Sequence, residues 1–248
     1  METIIDTNFD FTSDTPHYWD HYWDVDPVLG GFNNDPDCAS KTLQKYHQIL
    51  YSKKLPNGED MSLLVGTGKN YLTWKGFRFG SDSIIASFRY IKYRHFLEQA
   101  ASSIENWIDY IEKYIRKSYT IGGEIIFPKR PMGINQSRGI NHYIKDRFDL
   151  TLECIRKFYL GEQSPLYDIL MKDKDFFDLF LNFKGYVDYF YLQDCVSSDY
   201  SQVLFWLGNG EFEKEPLPKS VQEYFGFIAK ELDFVEKRNH RIKEACLI

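Results

Sequence analysis

The sequence lacks the marks of several protein classes. It has four cysteines in 248 residues, Cys38, Cys154, Cys195 and Cys246, far apart and with no CxxC pair. Neither a disulfide framework nor a zinc knuckle is expected, and the thiols read as reduced. No window approaches 18 consecutive apolar residues, so no membrane span or membrane partner is expected. The opening METIIDTNFDFTSD has acidic and polar residues where a signal peptide needs a basic start and an apolar run. Together these features read as a cytoplasmic protein. There is no GxxxxGK[ST] phosphate loop, and Gly122-Gly123 is too short for a dinucleotide fingerprint, so no cofactor is assigned. A net charge of −6 argues against a dedicated nucleic-acid coat, although local basic patches can persist inside an acidic whole.

What is present is apolar and aromatic. Hydrophobic residues make up 43% of the chain, and 20 Phe, 18 Tyr and 5 Trp supply much of the apolar area. A chain of this length buries roughly three quarters of its unfolded surface, so a core forms without staples. Residues 1–60 are broken by Pro16, Pro27, Gly30, Gly31, Pro36 and Leu55-Pro56-Asn57-Gly58 and read as largely irregular. Within them a short strand over 4–11, a short helix over 16–24 and a helix over 41–51 capped by Ser40 are expected. Residues 71–79 alternate like a half-buried strand or hairpin. Ser81-Asp82-Ser83 reads as the cap of a long helix through Ile84, Phe88, Ile91 and Phe96, followed by a second helix over 103–116. GEIIFP reads as a buried strand closed by Pro128. Helices are expected in the second half of the stretch after 134, over 165–171, 173–181, 184–192 and 220–245, with a strand over 202–207. The fold class is α+β, helix-rich with a few short strands, in one domain spanning 1–248.

Several groupings bear on chemistry. The tandem HYWDHYWD sets His17 and His21 at a metal-ligand spacing if helical, but two histidines are half of a tetrahedral set. An amphipathic helix burying Trp19 and Trp23 is the favoured reading, and no metal ligand is assigned. Asp20, Asp24, Asp26, Asp35 and Asp37 do not match an EF-hand loop and read as a solvated loop with Asx-turns. Asn135, Ser137 and Arg138 follow a buried strand at its carboxyl end, where a guanidinium can clamp a phosphate or carboxylate and the amide and hydroxyl orient it. Against this stands a structural reading in which Arg138 pairs with Asp146, Asp149 or Glu153.

Asp149 and Glu153 share a helical face near Arg147 and Arg156. They are candidates for acid–base work or for a metal-dependent hydrolase, or else an N-terminal acid and an i,i+3 pair. His47 lies among Lys45, Lys53 and Lys54, the minimal equipment of a metal-free ribonuclease if His142 or Tyr46 approaches it. Basic residues gather over 89–94, interleaved with Tyr90 and Tyr93, and again at Lys237, Arg238, His240, Arg241 and Lys243. Cys154 reads as a small core residue.

Through GGEIIFP, INQSRG, DRFDLTLECIR, SPLYDIL, FFDLF, FKGYVDYF and LQD the chain resembles an uncharacterised family of bacterial proteins. The similarity extends to FDFTSDTP, DPD, TLQKYHQILYSKKLPNGE and GSDSII, and HYWDHYWDVDPVLGGF looks like an insertion. Tyr46, His47, Lys53, Asp82, Asn135, Arg138, Gly139, Asp146, Arg147, Asp149 and Glu153 lie on these strings. The resemblance implies no reaction, cofactor or catalytic residue. The expectation that follows is a pocket of Asn135, Ser137, Arg138 and Arg147 for a nucleotide or RNA phosphate, with His47, Asp149 and Glu153 as catalytic candidates. The alternative is a non-enzymatic module that docks a protein partner through an aromatic surface, in bacteria–phage conflict.

Overall fold

Lys75 and Gly76 both have positive φ, 44° and 84°, the backbone twist that a two-residue hairpin turn demands. They join two strands, β2 (Leu72–Trp74) and β3 (Phe77–Ser83), with Trp74 opposite Phe77 and Leu72 opposite Phe79. The short strand β1 (Leu64–Val65) pairs with β2, and β4 (Glu124–Pro128) pairs with β3 from Phe79 opposite Pro128 to Ser83 opposite Glu124. The sheet is antiparallel throughout in the order β1-β2-β3-β4, with β1 solvent-facing and β4 wholly buried. The coordinates are a computed structural model describing residues 5–26, 28, 30–31, 34–66, 70–85, 94–102, 104–138, 144–212 and 217–246.

Eleven α-helices surround this sheet among the described residues. Along the chain they are α1 (Tyr22–Val25), α2 (Pro36–Ala39), α3 (Lys41–Tyr51), α4 (Arg94–Ala101), α5 (Trp107–Ser118) and α6 (Ile134–Arg138). Then follow α7 (Phe148–Tyr159), α8 (Tyr167–Met171), α9 (Lys174–Asp178), α10 (Phe183–Tyr189) and α11 (Val221–Ala245). Ser40 caps α3, its Oγ accepting from the Leu43 amide at 3.0 Å, and Ser220 caps α11 by accepting from the Glu223 amide at 3.1 Å. Phe176, Phe177, Phe180, Tyr186 and Phe190 form a continuous aromatic block under the sheet, with the Tyr186 and Phe190 rings 4.7 Å apart. Among the described residues, Tyr110 is the one aromatic that counts as a strongly exposed large hydrophobic side chain. No described helix is long and apolar enough to cross a membrane.

The last helix is fastened to the sheet by one side chain. Arg238 is fully buried and donates to the carbonyls of Phe190, Ile121, Gly122 and Glu124 and to the Tyr51 hydroxyl, at 2.7–3.2 Å. Gly122, in the 3-10 turn Ile121–Gly123, lets α11 come close: a Cβ there would stand 2.4 Å from the Val235 carbonyl oxygen. The glycine pair therefore serves helix packing.

Some expected elements differ. The HYWD repeat is not one helix, because His17 and His21 adopt left-handed backbone (φ 60° and 54°) and only residues from Tyr22 are helical. Each histidine turns its Nδ1 onto the aspartate three residues on, at 2.7 and 2.6 Å. The deeply buried rings are Tyr18 and Tyr22, whereas Trp19 and Trp23 are half-buried and donate to Thr12 and Glu112. Ser81-Asp82-Ser83 is strand rather than helix cap, because its backbone pairs with residues 124–126. The expected strand over 202–207 is reduced to a single bridge between Val196 and Val203, and the described part of 4–11 is turn. Gly139, His142 and residues 86–93, with Arg89, Tyr90 and Tyr93, lie outside the described residues.

Candidate functional site

The residues expected to form one pocket divide into two unlike groups. Arg147 and Asp149, at the start of α7, are both fully buried and paired with each other, the Arg147 Nε–Asp149 Oδ1 contact measuring 3.0 Å. Arg147 also donates to the Leu207 carbonyl at 2.7 Å, while Asp149 accepts from the amides of Leu150 and Trp206 at 2.9 and 2.8 Å. The pair staples α7 to the 206–207 segment, which makes it scaffold. Glu153, one turn on, is held by Arg156 through two bonds of 2.7 and 2.8 Å. The i,i+3 reading of that pair is therefore the observed one, and Asp149 and Glu153 do not converge on a common cavity.

Arg138 has a different environment. It ends α6, a helix rather than the expected loop, which Asn135 ties to β3 by donating to the Ser81 carbonyl at 3.2 Å. Ser137 is buried and spends its hydroxyl on the Gly133 carbonyl at 2.8 Å, so it braces the turn. Arg138 Nη1 donates to Asp82 and to the Ser83 carbonyl at 2.8 and 2.9 Å, and Nε donates to Thr151 at 3.1 Å. The other terminal nitrogen, Nη2, is buried without a hydrogen-bond acceptor, and Asp146 stands 3.6 Å away. The Arg138 side chain is 2% exposed, but its flanking carboxylates, Asp82 and Asp146, are 17% and 19% exposed and lead to solvent.

Beside this corner lies a pair of acids that come together only through the fold. Asp35 caps α2 by accepting from the Asp37 amide at 3.0 Å, as an Asx-turn reading expects. That turn directs the Asp37 carboxyl against Glu124, the first residue of β4, and the two acids hydrogen-bond. Ser83 Oγ donates to Glu124 Oε1 at 2.9 Å. Asp37 Oδ1 and Glu124 Oε2 are both out of solvent with no protein donor. Two buried carboxylate oxygens in contact are stable when a proton lies between them. The residue Asp37 is only half-buried as a whole, so the pair is enclosed on the Glu124 side and approachable from α2. Burial raises both acids above the carboxylate range, and their mutual contact with Asp35 and Asp82 adds to the rise on Asp37. Asp82 is pushed up to about 6, chiefly by burial, with Arg138 opposing.

His47 is fully buried behind this cluster, its Nδ1 3.0 Å from Ser81 Oγ and its ring 5.5 Å from that of Tyr51. Burial and the Arg238 charge push its pKa down to about 3, so it is neutral. The expected lysine companions do not surround it. Lys53 donates to the Tyr189 carbonyl at 2.9 Å and lies over the Tyr189 and Tyr191 rings. The carboxy-terminal basic cluster is likewise spoken for, with Lys237 on Asp233, Arg241 on Asp194 and Arg238 in the core. Cys154 is a buried thiol raised to about 12, chiefly by burial, as a core reading expects.

A groove of about 740 Å³ lies elsewhere, between residues 7–10, α5 and α11. Its walls are surface charges that largely satisfy one another, with Arg116 2.8 Å from Asp10 and Lys117 2.5 Å from Glu236. Volume favours the groove; the unfilled buried donor and the unusual protonation favour the Arg138 corner. The second argument is the chemical one, because paired surface ions offer a ligand little that water does not.

Sequence reasoning missed Glu124, and it read Asp37 as solvated and Asp82 as a cap. One signal was available: a glutamate at the head of the wholly apolar run IIF is an acid entering a buried strand.

The arrangement defines a helix-rich α+β protein with a buried acid cluster around one anchored arginine. The chain belongs to the family of unknown function DUF6994, which it matches over residues 5–242. Comparison with curated proteins and with solved structures gives no match.

Proposed function

We propose that this is a cytoplasmic bacterial protein that binds a nucleotide or RNA phosphate at the Arg138 corner and acts on it. The observation that carries the reading is Arg138 itself. Three hydrogen bonds fix its plane, and one terminal N–H group points at no acceptor. A rigid, pre-oriented guanidinium with an unused donor is the group that phosphate oxygens match best, and leaving that donor unfilled costs about 1–3 kcal/mol that a ligand oxygen recovers. Asn135 and Ser137 support the corner, and Arg147, Asp149 and Glu153 drop out of the ligand and catalytic sets because their partners are internal. A partner-docking role, including one in bacteria–phage conflict, draws little support, since the described aromatic rings pack inward.

The test is thermal shift and calorimetry with 5′-mononucleotides, inorganic phosphate and a short single-stranded RNA. Wild type should be stabilised by a phosphate-bearing ligand, Arg138→Lys should fold yet bind roughly 10-fold or more weakly, and Lys113→Ala/Lys243→Ala in the groove should bind normally. Loss of binding in the groove variant with retention in Arg138→Lys would overturn the assignment.

A further inference from the structure

This inference rests on the nucleotide reading and extends it to chemistry. Asp35, Asp37, Asp82, Glu124 and Asp146 act on a single guanidinium corner, and Asp37, Asp82 and Asp146 are among the charges that Arg138 itself feels. The cluster alone would be only a concentration of acid. The independent observation is Arg138 Nη2, a donor without an acceptor in a side chain 2% exposed, which calls for an anionic group from outside. The sign of the surrounding field then selects the reaction. Phosphoryl transfer builds negative charge on equatorial oxygens, which a ring of carboxylates repels. Glycosyl transfer passes through a cationic, oxocarbenium-like state, which the same carboxylates stabilise. A nucleotide carries both demands in one molecule, a phosphate for the arginine and a ribosyl carbon for the acids. The tight burial of Arg138 suits a single nucleotide rather than a polynucleotide.

We infer that the site hydrolyses the N-glycosidic bond of a mononucleotide, with the Asp37–Glu124 pair acting first as acid and then as base. The pair holds one proton and one negative charge. As the C1′–N bond breaks, the bonding electrons leave with the base nitrogen, which takes the shared proton. A water molecule then adds to C1′ and returns one proton to the pair. The products are ribose phosphate and free base, with one water consumed and no redox change. Ser83, bonded to Glu124 Oε1 at 2.9 Å, is a positioning residue that fixes which oxygen faces Asp37.

The experiment incubates the full chain with a panel of 5′-mononucleotides, nicotinamide mononucleotide included, and follows free base, ribose phosphate and inorganic phosphate by chromatography. Wild type should release free base and no inorganic phosphate. Glu124→Gln and Asp37→Asn should each lower release by roughly 100-fold or more while keeping the nucleotide-induced thermal shift. Asp37→Asn lies on the half-buried α2 side and secures the test if Glu124→Gln does not fold. Nucleotide binding without base release in wild type, phosphate release instead of base, or an unchanged rate in folded Asp37→Asn each overturns the inference and leaves the binding reading standing. Absence of nucleotide binding overturns both.

Discussion

Arg147 and Arg138 are both buried arginines beside the same helix, and they teach opposite lessons. Arg147 meets Asp149 head-on, and that carboxylate also receives two backbone amides, so donors and acceptors close on themselves. Arg138 is anchored as firmly, yet it keeps one donor idle and sits next to acids that burial forces to hold protons. Closure marks scaffold. An anchored group with an unfilled valence, beside displaced protonation, marks a place built for something absent from the chain itself.

The largest break in that contrast should come at the closed pair. Arg147→Met alone strands a buried carboxylate and should cost about 3–5 kcal/mol in urea denaturation, whereas Arg147→Met/Asp149→Leu should recover most of the loss. Additive losses in the double variant would show that the pair is not a closed unit.

The acid pair sharpens the contrast through pH. A carboxyl raised in the folded state stabilises fully below its ordinary value and loses that contribution as pH rises through the folded value. For Asp82 the loss runs from its ordinary 3.8 to about 6, and for the Asp37–Glu124 pair it extends upward from the ordinary carboxylate range. His47 runs the other way: its stabilisation as a neutral ring is present above 6.5 and is lost as pH falls toward about 3. Above pH 6.5 the histidine no longer contributes, and the buried Lys53, lowered to about 7, is common to wild type and variant. Glu124→Gln should therefore gain on wild type between pH 6.5 and 8.5, by about 3 °C or more in Tm. Parallel Tm curves would show that the pair holds no extra proton. The smallest effect is expected at Glu153→Ala, which breaks only the edge pair with Arg156. It should change stability by about 0.5 kcal/mol or less and leave nucleotide-induced stabilisation untouched.

Local physics made much of the fold readable. The Ser40 and Ser220 caps, the aromatic alternation of 72–79 and the buried run before Pro128 all stand where spacing puts them. The site was half readable. Arg138 and Asn135 stood out as polar residues beyond a strand end, but their working neighbours come from pairing across 41 residues, Ser83 with Glu124, and from α2 packing on β3. Such pairing has no local period to betray it. Ser81-Asp82-Ser83 misled because the same residues that cap helices also tolerate a strand end when a partner strand supplies the backbone bonds. The HYWD repeat misled because its spacing is helical while its histidines take left-handed backbone with the following aspartates as partners.

Arg238 has one more consequence, for the order of assembly. It contacts Tyr51, Phe190 and the 121–124 turn across separations of 48 to 187 residues, so these contacts close loops as long as most of the chain. Until α11 has been synthesised and docked, the carbonyls at 121, 122 and 124 lack this shared donor, and Glu124 is not held in register against Asp37. Contacts of such span form late and slowly. The acid pair is therefore assembled in the closing step of folding, so a nascent chain carries no finished site and any activity of that pair switches on only in the completed molecule.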